Sequence, residues 1–292
     1  MNVIKDGQLV SFSSASCPTG VRSARISARR HLLFQNILSA RDGHVSASPP
    51  GPSPGTKAQE RKKMENCNSE MLNRALQNAG RRNGFEDVQA EFAAFRDFKL
   101  KWTRSYKWIS FEVSDYLRNA PEHVIQSLAE TIFAKIRGED GASYSEEVCD
   151  YLNSQEFLDE NQKQYLRRFR GISVSTQGEN VDLQDCYRRL TEQGLVEHDP
   201  RLVIRWSSTE DRNRKVGRSS VLMRTIVMNP ALDSENISEE ALDYALYSQI
   251  CRVNLGFGPT RENDAERYEA MLSVYPDRTR EEMELRRFGL MI

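Results

Sequence analysis

The stretch Arg224-Thr225-Ile226-Val227-Met228-Asn229-Pro230-Ala231-Leu232-Asp233, followed shortly by Glu239-Glu240-Ala241-Leu242-Asp243-Tyr244-Ala245-Leu246-Tyr247-Ser248-Gln249-Ile250-Cys251-Arg252-Val253, decides the fold class. Its first part is β-branched and apolar and predicts a strand over 221–228. The Asn-Pro-Ala-Leu-Asp run that follows is turn chemistry, since Pro cannot continue a ladder and Asn and Asp bond back to nearby amides. The second part predicts a helix from about Ser238 to Asn254. Its orphan amides would be capped by Asn236, with Glu239 three residues on, or by Ser238, and Gly256 and Gly258 end it. Ala241, Leu242, Ala245, Leu246, Ile250 or Cys251, and Val253 form the apolar stripe that a buried central helix requires.

Upstream, 102–113 reads as extended, with Ile109, Phe111 and Val113 alternating against Trp108, Ser110 and Glu112. Pro121 suits the first turn of a helix whose stripe runs from Val124 to Ile136 and stops at Gly138. Further helices are expected at 145–151, 155–169 and 182–190, a strand at 202–206, and a last helix over 264–274 that stops near Pro276. Between the strands, 207–220 reads as a polar loop carrying Arg212, Arg214, Lys215 and Arg218. Met71, Leu72, Ala75 and Leu76, then Phe85, Val88, Phe92 and Phe95, predict a helical pair. This order is α+β, with a small mixed or antiparallel sheet packed on a central helix. The organisation expected is a tail over 1–63, a helical lead-in over 64–98 and a domain over 99–292.

The whole chain has 292 residues, with 41 Lys+Arg against 42 Asp+Glu, a net charge of −1 that excludes nucleic-acid binding by bulk charge alone. Mean hydropathy is −0.65 and no run approaches the roughly 20 apolar residues of a membrane helix, so an integral membrane protein is not expected. Residues 1–63 stand apart: ten basic residues against Asp6, Asp42 and Glu60, many serines, and the breaker run Ser48-Pro49-Pro50-Gly51-Pro52-Ser53-Pro54-Gly55. Such a segment is expected to be disordered. It reads as an extension ahead of a product beginning at Met64, as an organelle transit peptide, or as a basic arm. Cys17, Cys67, Cys149, Cys186 and Cys251 are odd in number and unpaired in spacing, which points to reduced thiols in a cytoplasmic protein.

The strand, the turn ending in Asn and Leu, and the helix together resemble the core of the SprT-like and YgjP-like zinc metallopeptidases, which are zincins. The resemblance is most specific over 221–255 and extends weakly over 102–285, including Tyr268 and Pro276. It implies a zincin-like domain and a His-Glu-x-x-His motif falling on Ser248, Gln249, Ile250, Cys251 and Arg252. In that motif two imidazoles one helical turn apart hold zinc, and the Glu takes a proton from the bound water. Here a serine and an arginine stand at the ligand positions and a glutamine at the base. Guanidinium does not deprotonate to coordinate and repels a dication. The third ligand would fall near Asn263 or Asp264, and no His follows His198. No catalytic residue, metal or cofactor is therefore carried over.

The expectation is a non-catalytic metallopeptidase-like protein, with a peptide or protein partner in the former substrate cleft and no membrane partner. One alternative is a hydrolase with relocated residues, such as Cys251 with His198 or His123. Another is a nucleic-acid-associated factor using Arg212, Arg214, Lys215 and Arg218, aided by Arg167, Arg168 and Arg170. The carboxylates Glu262, Asp264, Glu266 and Glu269 read as a solvated helix start.

Overall fold

The computed structural model describes residues 2–5, 8–11, 54–139 and 141–292. The chain divides into one compact unit, Met1–Ser14 with Asn66–Ile292, and a second, Ala15–Glu65. The expectations for the basic tail fall largely outside the described residues. What is described there is an antiparallel pair, β1 (Asn2–Lys5) with β2 (Gln8–Ser11), and the opening of a helix at Pro54.

That helix, α1 (Pro54–Arg82), buries Leu72, Ala75, Leu76 and Ala79. Gly80 lets it close on its neighbours, because a Cβ there would stand 2.5 Å from Val88 Cγ2. The second helix of the expected pair does not form. Asp87–Ala93 is instead a strand, β3, paired parallel with β5 (Trp108–Ser114), while β4 (Leu100–Arg104) pairs antiparallel with β5 on its other side. Val88 and Ala90 face the core at period two, whereas Phe85 and Phe95 lie beyond the strand ends. Their helical spacing is coincidental, and the pairing that overrides it comes from about twenty residues downstream. The expected lead-in is thus an integral part of the first sheet.

Helix α2 (Glu122–Arg137) runs where its stripe predicts and ends on Gly138 at φ 75°, whose N–H bonds back to the Ala134 and Lys135 carbonyls. Pro121 stands just before the helix rather than in its first turn. Ser145 and Ser154 cap α3 (Glu146–Asn153) and α4 (Gln155–Arg168). These elements enclose a first core in which Phe111 meets Phe133 edge-on at 5.5 Å and Phe157 is fully buried. Arg168 ties α4 to the end of the first sheet through a two-pronged bond to Asp115.

A second core gathers around α5 (Leu183–Glu192), β6 (Val203–Trp206), β7 (Gly217–Ser220), β8 (Thr225–Met228) and α6 (Glu239–Asn254). Helices α7 (Asp264–Leu272) and α8 (Arg278–Arg287) cover α6 from the other side. The strand order is β6-β8-β7, with β6 parallel and β7 antiparallel to β8.

Two expectations change here. The strand predicted over 221–228 starts only at Thr225, because 221–224 forms a turn in which Arg224 takes φ 40°. That turn joins β8 to β7, which occupies the end of what reads in sequence as a polar loop. Gly217-Arg218-Ser219-Ser220 has no apolar alternation and is a strand only because β8 templates it. Helix α8, beyond Pro276, has weak amphipathicity in sequence and is not foreseen. Among the described residues the fold is α+β, with two three-stranded mixed sheets where one is expected from the sequence, besides the β1–β2 pair. Among the described residues no helix is long and apolar enough to cross a membrane.

One buried group in α8 sets a pH dependence. Glu281 is 2% exposed, its Oε2 has no hydrogen-bond partner, and the closest cation, Arg280, stands 3.9 Å from Oε1. Burial raises its carboxyl above the ordinary 4.5, with Arg280 opposing. Ionised Glu281 therefore opposes folding at neutral pH, and that penalty fades as pH falls toward the unfolded value. Glu281→Gln is expected to stabilise the protein by about 1 kcal/mol at pH 7.5. The gain should shrink toward nothing near pH 4, as read by urea unfolding at the two pH values.

Candidate functional site

Helix α6 is buried almost all round: only Glu239, Glu240, Arg252 and Asn254 escape full burial. The Asn-Pro-Ala-Leu-Asp turn aims it. Asn229 Oδ1 accepts from the Ala231 N–H and its Nδ2 donates to the Lys215 carbonyl. The Asp233 carboxylate accepts from the successive N–H groups of Glu179, Asn180 and Val181. Ser238, not Asn236, caps the helix by accepting from the Ala241 N–H at 3.2 Å. Asp243, on the inner face, receives the Arg189 fork at 2.7 Å on each oxygen. Tyr244 donates to Glu282 and Tyr247 to the Met271 carbonyl, each at 2.7 Å.

Of the positions on which the resemblance places the zincin motif, Ser248 and Gln249 are interior. Ser248 is 0% exposed; its hydroxyl donates to the Ala245 carbonyl at 2.7 Å, and its own carbonyl accepts from Tyr268 at 3.3 Å. Gln249 is 2% exposed, donates to Ser248 Oγ, and lies beneath Gly217 of β7. Neither side chain can reach a solvent-borne ligand. Arg252 is half-buried, with its guanidinium 4.4 Å from the centre of the Tyr268 ring. It lines a groove of about 520 Å³ shared with α7, α8 and residues 290–292. A cation stacked on the aromatic of α7 thus occupies the place where the resemblance puts the second imidazole. Asp264, at the start of α7, lies 3.7 Å from Arg267. Among the described residues no group of three His, Cys, Asp or Glu is placed to hold a metal.

The other nucleophile and base candidates do not converge. Burial pushes the Cys251 thiol up to about 11, far from thiolate reactivity at neutral pH. His198 is exposed and rests 6.0 Å from the Tyr187 ring, and His123 is exposed at the start of α2. Neither lines the Arg252 groove.

The basic loop is partly brought together. Arg212 is exposed, and Arg214 lies over Gly289, near where Val216 N–H meets the Met291 carbonyl. Lys215 and Arg218 line a cavity of about 80 Å³ together with Arg96 and Arg170. Arg168 is spent on Asp115, and Arg167 points to solvent.

The element beside this cavity that the sequence conceals is β7. It is the outer strand of its sheet, and the bond from the Asn229 N–H to the Val216 carbonyl sets the phase of its ladder. Arg218 and Ser220 face β8, so Gly217 and Ser219 turn their backbone groups away from it. Gly217 lines the small cationic cavity. Ser219 lines a larger one, of about 490 Å³, walled by Phe98, Tyr165, Leu222 and the loop after α6 from Leu255 to Glu262. Lys135 reaches this second cavity, where burial and the charge of Arg261 lower its pKa, and donates to the Ala142 carbonyl. The two cavities flank β7 at the junction of the two cores. The only sequence signal was Gly217, which admits the close approach of Gln249 and of the Val227 carbonyl.

No family model, curated protein or solved structure matches this chain.

The closure of the motif face has a direct consequence. Ser248→His would force an imidazole into a filled interior and is expected to cost about 1–3 kcal/mol by overpacking. Arg252→His, at a half-exposed position, should change stability by well under half of that. Chemical denaturation of the two variants against the parent checks the contrast.

Proposed function

We propose that this protein is a non-catalytic relative of the zincin-type metallopeptidases that holds a peptide as an added strand on β7. The observation that carries the reading is the outer edge of β7. Its outward amide and carbonyl groups at Gly217 and Ser219 open on two cavities, beside a central helix whose motif positions are Ser248, Gln249 and Arg252. An exposed edge supplies main-chain hydrogen bonds for affinity, and flanking cavities sort the alternate side chains of the guest. The 490 Å³ cavity, with Phe98, Tyr165 and Leu222, suits an apolar or aromatic side chain. Substitution of both imidazole positions and of the base removes the zinc chemistry while the strand, turn and helix keep their order.

Two measurements test the reading. Elemental analysis of the purified protein should find far less than one equivalent of zinc, and one tightly held equivalent would end the proposal. Peptides selected by display and measured by fluorescence anisotropy should lose at least tenfold in affinity on Ser219→Pro, which deletes an outward N–H. Equal binding by parent and variant would place the peptide elsewhere.

A further inference from the structure

The small cavity beside Gly217 has a charge pattern that strand pairing does not use. Arg96, Arg170, Lys215 and Arg218 converge on it from three separate segments. Two of the four are held in place. Arg96 bonds Asp97 and lies 5.2 Å above the Phe169 ring, while Arg218 bonds Asp211 at 3.1 Å. The other two, exposed Arg170 and half-buried Lys215, lie within ion-pair distance of no carboxylate among the described residues. Burial alone would raise the Asp211 carboxyl, but the Arg218 bond, the Asn213 N–H and the charge of Lys215 outweigh it. It therefore stays ionised and keeps Arg218 oriented.

We propose that this cavity binds a phosphoryl oxyanion. Arg96 with Asp97 and Arg218 with Asp211 form pairs, so Arg170 and Lys215 face the one remaining carboxylate, that of Glu210, leaving an excess of one positive charge and several N–H donors for the oxygens of a phosphoryl group. The outward Gly217 N–H adds a neutral donor at the same wall. At about 80 Å³ the cavity is far below the roughly 300–1,000 Å³ of whole-ligand pockets, so it takes a group and leaves what the group is attached to outside. A nucleic-acid backbone is the less fitting source. The cations surround a concavity instead of following a track, and Phe169, the one aromatic there, is already covered by Arg96. The inference shares the Gly217 wall with the peptide reading but does not rest on it, because it needs the cations and not Ser219.

Calorimetric titration with inorganic phosphate in low-chloride buffer at pH 7.5 tests it. One saturable site is expected, weakened at least tenfold by Arg170→Ala and by Lys215→Met, the latter keeping the apolar stem. Arg212→Ala, outside the cavity, should leave affinity unchanged. A phosphoserine tetrapeptide separates the sources: tighter binding than inorganic phosphate marks a phosphorylated chain as the ligand, and equal or weaker binding marks the free anion. Absence of saturable binding by both probes would overturn the proposal, as would Lys215→Met binding like the parent. It would also fall if a single-stranded oligonucleotide bound and lost as much from Arg212→Ala as from Lys215→Met.

Discussion

Everything in the second half of the molecule answers to one constraint: α6 lies inside the protein on nearly every face. A helix so placed has to bury the polar side chains it carries, and each must find a partner that came in with the fold. Asp243 meets Arg189 from α5, Tyr244 meets Glu282 from α8, and Tyr247 meets a carbonyl of α7. These bonds locate three neighbouring helices around one axis, and the sheet closes the remaining side. The apolar stripe alone would have left the rotation of those helices undetermined.

The same constraint explains why the motif positions hold the residues they do. An open metal site needs one helical face free for ligand and water. With α7 laid across that face, Ser248 is small enough to fit and short enough to bond its own helix, and Gln249 fills the space under Gly217. Arg252, one turn further on, reaches the rim and stacks on Tyr268. Packing and charge thus agree at these three positions, which are given over to contact between helices.

The junction between the two cores is built differently. It is crossed by polar ties, among them Gln162 to the Met223 and Arg201 carbonyls and Asn153 to the Phe257 carbonyl, and by Met223, Leu222 and Phe257 packed on the first core. It keeps open space on both sides of β7. Binding surfaces gather where rigid elements meet without filling the gap between them. Both proposals made for this protein rest on that gap.

Local chemistry in the sequence determined the central helix, though not which of Asn236 and Ser238 caps it, the Gly138 stop of α2, the Asn229 turn and the alternation of β5. In each case a single stretch carries its own periodicity or cap. That Ser248, Gln249 and Arg252 share one helix was equally legible, because they belong to one continuous stretch. Tertiary structure decided the rest. Gly217–Ser220 is a strand because β8 supplies its hydrogen bonds, and it lacks the pattern to declare it. Asp87–Ala93 does alternate, Val88, Ala90 and Phe92 against Asp87, Gln89 and Glu91, but the helical spacing of Phe85, Val88, Phe92 and Phe95 competes with that signal and the pairing with β5 decides between them. Arg96 and Arg170 join Lys215 and Arg218 because the chain returns to one place three times. Such encounters are set by the packing of whole elements, and linear spacing carries no trace of them.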